Sequence, residues 1–93
     1  MTVVDRDTSR DADVRQHVGA FVRENFLYLR PELELRDSDD LLALGVMDSM
    51  GFVELVEEVE TRYGLVIQDV EITEDNFGSV DAVVAYVASK RAP

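Results

Sequence analysis

The sequence contains no cysteine, so it can form neither a disulfide framework nor a thiolate of its own. Histidine occurs once, at His17, with no serine or cysteine beside it in sequence to activate, and it reads as a partly buried or surface histidine rather than a general base. No apolar run approaches the roughly 18 residues of a membrane span, and Met1-Thr-Val-Val-Asp-Arg-Asp lacks the basic-then-apolar order of a signal peptide. A cytoplasmic protein without membrane contact is the expectation. Basic residues are scarce. Nine Lys and Arg stand against 20 Asp and Glu, a net charge of −11, which argues against nucleic acid and anionic membranes and in favour of partners with basic surfaces. Strand patterns are also lacking: Leu65-Val66-Ile67 has no second run to pair with and reads as a buried loop.

What is present points to helices. A chain of 93 residues makes one small domain with a modest core. Residues 1–10 are polar and read as a mobile tail, with a single domain over 11–91. A first helix is expected from Asp11 or Asp13, because Val14, Val18, Phe21, Val22, Phe26 and Leu29 recur at three- and four-residue spacing. Pro31 ends it by pushing Arg30 out of the helical region. Residues 31–48 form a long connection that Leu33, Leu35, Leu41, Leu42, Leu44 and Val46 pin to the core, with Asp37-Ser-Asp-Asp supplying turns. Those aspartates do not make an EF-hand, since Leu42 and Asp48 occupy the places of its glycine and glutamate. No metal site is expected.

The stretch Leu41–Glu60 organises the rest. An apolar loop reaches Gly45 and then switches into helical periodicity at Asp48-Ser49-Met50, so a serine is presented where loop becomes helix. Either Asp48 or Ser49 could cap that helix, because both side chains can accept from the unpartnered N–H groups of a first turn. Phe52, Leu55, Val56, Val59 and Tyr63 fall on one side of it, while Met50, Glu54, Glu57 and Thr61 fall on the other as a candidate partner face. Gly64 is a natural stop. Gly51 costs up to about 1 kcal/mol relative to alanine and reads as tolerated near the helix start. Beyond Gly64, Thr73 is a possible cap for one helical turn, Phe77 a core anchor, and Ser79 the cap of a last helix with the stripe Val80, Val83, Val84 and Val87. Asp81 in its first turn and Lys90-Arg91 in its last suit the helix dipole.

At Leu44-Gly45-Val46-Met47-Asp48-Ser49-Met50, followed by Val53-Glu54-Leu55-Val56, the sequence resembles the acyl and peptidyl carrier proteins. Their signature is a glycine, a short hydrophobic link, Asp-Ser-Leu and an acidic amphipathic helix; Met50 replaces the leucine and preserves its volume and apolarity. The resemblance spans roughly Val14 to Val87. It implies an all-α bundle of three principal helices plus a short one, with a long loop between the first two. It further implies 4'-phosphopantetheine on Ser49 and recognition of Asp48 by the modifying transferase. The leucine-valine-isoleucine run, Thr73, Asn76-Phe77 and Ser79-Val80 look most like free-standing carriers of the D-alanyl and peptidyl type.

That resemblance makes the expected function a monomeric carrier, not an enzyme and with no catalytic residue. It would hold an acyl, aminoacyl or peptidyl group as a thioester on the arm. The implied partners are a phosphopantetheinyl transferase, an acyl- or amino-acid-activating ligase and downstream biosynthetic enzymes with basic docking surfaces. The alternative is an unmodified acidic helical interaction module. A hydrolase with Ser49 as nucleophile is disfavoured, since no Gly-x-Ser-x-Gly elbow surrounds it. The charge generates a prediction that holds for either reading. Repulsion among 20 acidic residues is screened over a Debye length of about 10 Å at 0.1 M salt. The melting temperature is therefore expected to rise between low and moderate NaCl, and a flat or falling trend in a thermal scan would refute this.

Overall fold

The computed structural model describes residues 6–27, 30 and 32–91, with side chains from Arg10 onward. Helix α1 spans Arg6–Phe26, α2 Ser49–Tyr63, α3 Glu74–Phe77 and α4 Val80–Arg91, with a 3₁₀ turn at Asp69–Glu71. The fold is all-helical among the described residues: three principal helices, one short one and a long loop between α1 and α2.

The core forms where the apolar stripes meet. Val14, Val18 and Val22 of α1, Leu55, Val56 and Val59 of α2, Phe77 of α3 and Val80, Val83, Val84 and Val87 of α4 are all buried. Each such side chain is worth about 1.5–3 kcal/mol on burial. Phe77 is fully buried between partners, its ring 6.2 Å from that of Phe52 and 4.9 Å from that of Tyr86. Helix α4 packs against both α1 and α3.

The long loop is tied down by backbone as well as side chains. Leu41 is fully buried, its N–H donates to the Gly78 carbonyl at 2.8 Å, and its own carbonyl accepts from Val46 and Met47. The Asp81 N–H donates to the Asp37 carbonyl at 2.9 Å, while the Arg15 guanidinium bonds the carboxylates of both Asp37 and Asp81. One arginine thus joins α1, the loop and the start of α4, and these bonds raise its pKa above the ordinary value. Asp40 accepts from the N–H groups of Leu42 and Ala43 and shapes the turn that leads to α2.

Several expectations need correction. Helix α1 begins at Arg6 rather than at Asp11 or Asp13, because once nucleated a helix propagates cheaply through residues that contain no proline or glycine. Residues 6–10 of the expected tail are therefore helical, and residues 1–5 lie outside the described residues. The helix stops at Phe26, well before Pro31; Leu27 turns inward and is buried, and Arg30 N–H closes a tight turn onto the Leu27 carbonyl at 2.9 Å. Leu29 and Pro31 lie outside the described residues. Leu44 is 40% exposed and does not pin the loop, a part played instead by Met47. In the Leu65-Val66-Ile67 run only Ile67 is buried; Leu65 is half-buried against the core and Val66 is 75% exposed. Thr73 starts α3 without a side-chain bond, whereas Ser79 does cap α4, its Oγ accepting from the Ala82 N–H at 3.0 Å.

The 3₁₀ turn carries the last tie. Glu71 accepts from the Tyr86 hydroxyl at 2.8 Å, the Gln68 N–H at 3.1 Å and Lys90 Nζ at 3.1 Å. These bonds, that of Tyr86 foremost, hold the Glu71 carboxyl below its usual range, while burial and Glu71 push the Tyr86 hydroxyl up. Because the folded pKa of Glu71 is the lower one, the stability these bonds give is complete above the unfolded value of about 4.3 and is lost as pH falls through the folded value. Glu71→Gln is thus expected to destabilise the protein at pH 7 by an amount that shrinks below about pH 4. Urea titrations of both proteins across that range would show a constant difference if Glu71 were merely solvated.

Candidate functional site

The question left open at residues 48–49 is settled by the backbone. Asp48 is extended, at φ −105° and ψ −168°, and is the N-cap: its Oδ1 accepts from the Gly51 N–H at 2.9 Å. Its carbonyl accepts from the Phe52 N–H, also at 2.9 Å. Ser49 is therefore the first helical residue, exposed to solvent, and its hydroxyl has no hydrogen bond among the described residues. The Ser49 and Met50 N–H groups likewise have no partner among them and sit at the positive end of the α2 dipole, a setting that favours an anion.

Gly51 explains how the junction is held. It is buried, and a Cβ there would lie 2.8 Å from the Phe26 ring and 3.0 Å from the Met47 side chain. Gly51 is thus required by a close approach within the chain, a correction to the expectation that it is simply tolerated. An open groove of about 590 Å³ is lined by Ser49, Asp48, Met47, Val46, Gly45, Leu42, Phe26 and Asn25.

Helix α2 presents its faces as its periodicity requires. Leu55, Val56 and Val59 point inward, and Phe52 and Tyr63 are half-buried. Met50, at 73% exposure, with Glu54, Glu57 and Thr61, faces solvent. Val53, half exposed on the same helix, adds an apolar residue that the sequence pattern left unassigned. The carboxylates of α2 divide into two groups. Glu58 meets His17 Nε2 at 2.7 Å, and Glu60 accepts from the Ile67 N–H at 3.3 Å. Glu54 and Glu57 have no such partner among the described residues, so their charge is available to a docking protein.

His17 is thereby accounted for as a tie between α1 and α2, partly buried beside Glu58 and edge-on to the Tyr63 ring. At a rise of about 1.5 Å per residue, Glu58 lies roughly 14 Å along the helix axis from Ser49. The imidazole is therefore out of reach as a base for that hydroxyl, which removes the geometry a serine hydrolase needs.

The family model described as "Phosphopantetheine attachment site" matches residues 25–87. The chain is 31% identical over 75 residues to the D-alanyl carrier protein of Streptococcus suis (strain 98HAH33), covering 81% of this chain and 91% of that one. It is 30% identical over 79 residues to the D-alanyl carrier protein of Streptococcus sanguinis (strain SK36), covering 85% and 96% respectively. No solved structure matches the chain significantly.

The cap assignment separates two adjacent residues. Asp48→Ala removes the bond to Gly51 and is expected to cost about 1 kcal/mol, whereas Asp48→Asn keeps an acceptor and should cost little. Ser49→Ala removes no bond and is expected to leave stability within about 0.5 kcal/mol of wild type. Denaturant midpoints of the variants check this ordering; a larger loss for Ser49→Ala than for Asp48→Ala would mean that the serine is the cap.

Proposed function

The chain belongs to the phosphopantetheine attachment-site family, and from that premise we propose that Ser49 is the residue that carries the arm. The protein is a carrier that holds its cargo as a thioester on covalently attached 4'-phosphopantetheine. The arm supplies a thiol, which a chain without cysteine cannot provide for itself. The observation that supports Ser49 is the division of labour at the α2 start: Asp48 spends its carboxylate on the cap, which leaves an exposed serine hydroxyl uncommitted. In loading from coenzyme A, the Ser49 oxygen forms a bond to the phosphorus of the arm. The bond from that phosphorus to the departing adenosine bisphosphate breaks, and the hydroxyl proton passes to a base of the transferase. The free N–H groups of Ser49 and Met50 then face the phosphodiester.

Residues 11–91 form the proposed carrier domain, and the chemistry performed on the cargo belongs to partner enzymes. Asp48, exposed beside Ser49, is the residue the transferase reads. Met50, Val53, Glu54, Glu57 and Thr61 form the docking face, with apolar area next to the arm and unpaired carboxylates beyond it, suited to basic surfaces on the transferase and on an activating ligase. We assign the cargo to the small aminoacyl class, D-alanine or a similar amino acid. The names of the similar proteins favour it, and so does a core filled by Phe77, Leu55 and Val83, which leaves no room for a long acyl chain beside them. Coenzyme A-dependent loading fits a cytoplasmic setting, and no described helix is long and apolar enough to cross a membrane.

Incubation with a broad-specificity phosphopantetheinyl transferase, coenzyme A and Mg²⁺ is expected to add a single phosphopantetheine by intact mass. Ser49→Ala should abolish the addition with an unchanged circular-dichroism spectrum. Glu57→Lys should leave the fold intact and lower kcat/KM for loading by about tenfold at low ionic strength. A folded wild-type protein that gains no mass, or a folded Ser49→Ala protein that does, would overturn the assignment.

A further inference from the structure

The groove beside Ser49 is separate from the docking face: Met50, Glu54 and Glu57 do not line it. Phe26, Leu42, Val46 and Met47 line it together with Asn25, Gly45 and Asp48. We propose that this groove is the resting site of the pantetheine arm, holding it against the end of α1 and the loop when no partner is docked. The inference rests on Ser49 as the attachment residue.

The argument begins with the tether. Ser49 itself lines the groove, so an arm on its oxygen samples the groove at an effective concentration of order millimolar. Even an affinity of only about 1 mM for the free arm would then keep the groove about half filled. The chemistry also matches. Pantetheine carries a pair of geminal methyls near its phosphate and two amides farther along. The half-buried side chains of Phe26 and Leu42 offer apolar surface to the groove, and the exposed carboxamide of Asn25 lines it as well. Asn25 Nδ2 donates to the Phe21 carbonyl at 2.8 Å, which orients the side chain and leaves Oδ1 to accept from an amide N–H of the arm.

The site is preformed, because the Phe26 ring is wedged against Gly51 and braced edge-on by Phe21 at 5.9 Å. The Phe52, Phe77 and Tyr86 rings occupy the bundle interior in a continuous row. Parking the arm in the groove leaves Met50 and the unpaired Glu54 and Glu57 clear for a partner, whose own active site then competes for the thiol.

The test uses ¹³C,¹⁵N-labelled protein loaded with an unlabelled arm, its single adduct first verified by intact mass. Isotope-filtered NOE spectra are expected to connect the geminal methyls to the Phe26 ring and to the Val46 and Met47 methyls, with amide shift changes between apo and holo forms concentrated at residues 25–26, 42 and 45–47. Asn25→Glu sets a carboxylate in the groove at an exposed position, and Leu42→Gln makes its wall polar; in either folded variant these cross-peaks should lose most of their intensity. NOEs to Met50 or Val53 instead, shift changes confined to residues 48–51, or cross-peaks unaffected by both variants would overturn the resting site while leaving Ser49 as the carrier residue. Absence of the adduct would overturn both.

Discussion

The hydrogen bond from the Gly51 N–H to Asp48 Oδ1 is the constraint on which the functional half of the molecule depends. It sets the first residue of α2, and a helix whose start is fixed has every later residue fixed by rotation. From that bond it follows that Ser49 faces water, that Leu55, Val56 and Val59 face the core, and that Met50, Glu54 and Glu57 face outward. A start one residue later would turn the stripe by about 100° and bury a carboxylate. The bond is protected by its surroundings: Gly51 is buried under the Phe26 ring, and the preceding loop is held by the Leu41 N–H to the Gly78 carbonyl.

The acidic character of the chain is organised rather than uniform. Asp37 and Asp81 share Arg15, Glu58 meets His17, Glu71 gathers Tyr86 and Lys90, and Asp40 and Asp48 satisfy backbone N–H groups. The first four join elements, a use that matters in a small domain where each stripe is short, and the last two fix a turn and a helix start. Two of the scarce cations, Arg15 and Lys90, serve the same task. What remains on α2 beyond Ser49, the proposed attachment residue, is a pair with no ion-pair partner among the described residues, Glu54 and Glu57, and charge so placed acts on association rate and specificity.

The carrier's chemistry follows from this economy of parts. In the proposed arrangement the chain contributes the Ser49 oxygen, N–H groups for a phosphodiester, a docking face and a groove, and the arm contributes the thiol. A fixed helix terminus matters here because the transferase and the later partners must meet the same oxygen in the same orientation each time.

The sequence by itself determined the helix order, the core stripes of α1, α2 and α4, the stop at Gly64, the cap at Ser79 and the outward face of α2, because each rests on periodicity or on the chemistry of one or two adjacent residues. The carrier signature likewise lies within one contiguous stretch. The tertiary structure alone decided the rest. Which of Asp48 and Ser49 caps α2 depended on backbone angles set by the Leu41 anchor; why Gly51 is glycine depended on Phe26, which is 25 positions away in sequence. Leu44, Val66 and Met47 were misjudged or missed because in irregular backbone no period says which way a side chain turns. The assignment of Glu58 to His17 and Glu71 to Lys90, with Glu54 and Glu57 left free, is a matter of pairing across elements, and pairing between residues distant in sequence is information that only the packed chain contains.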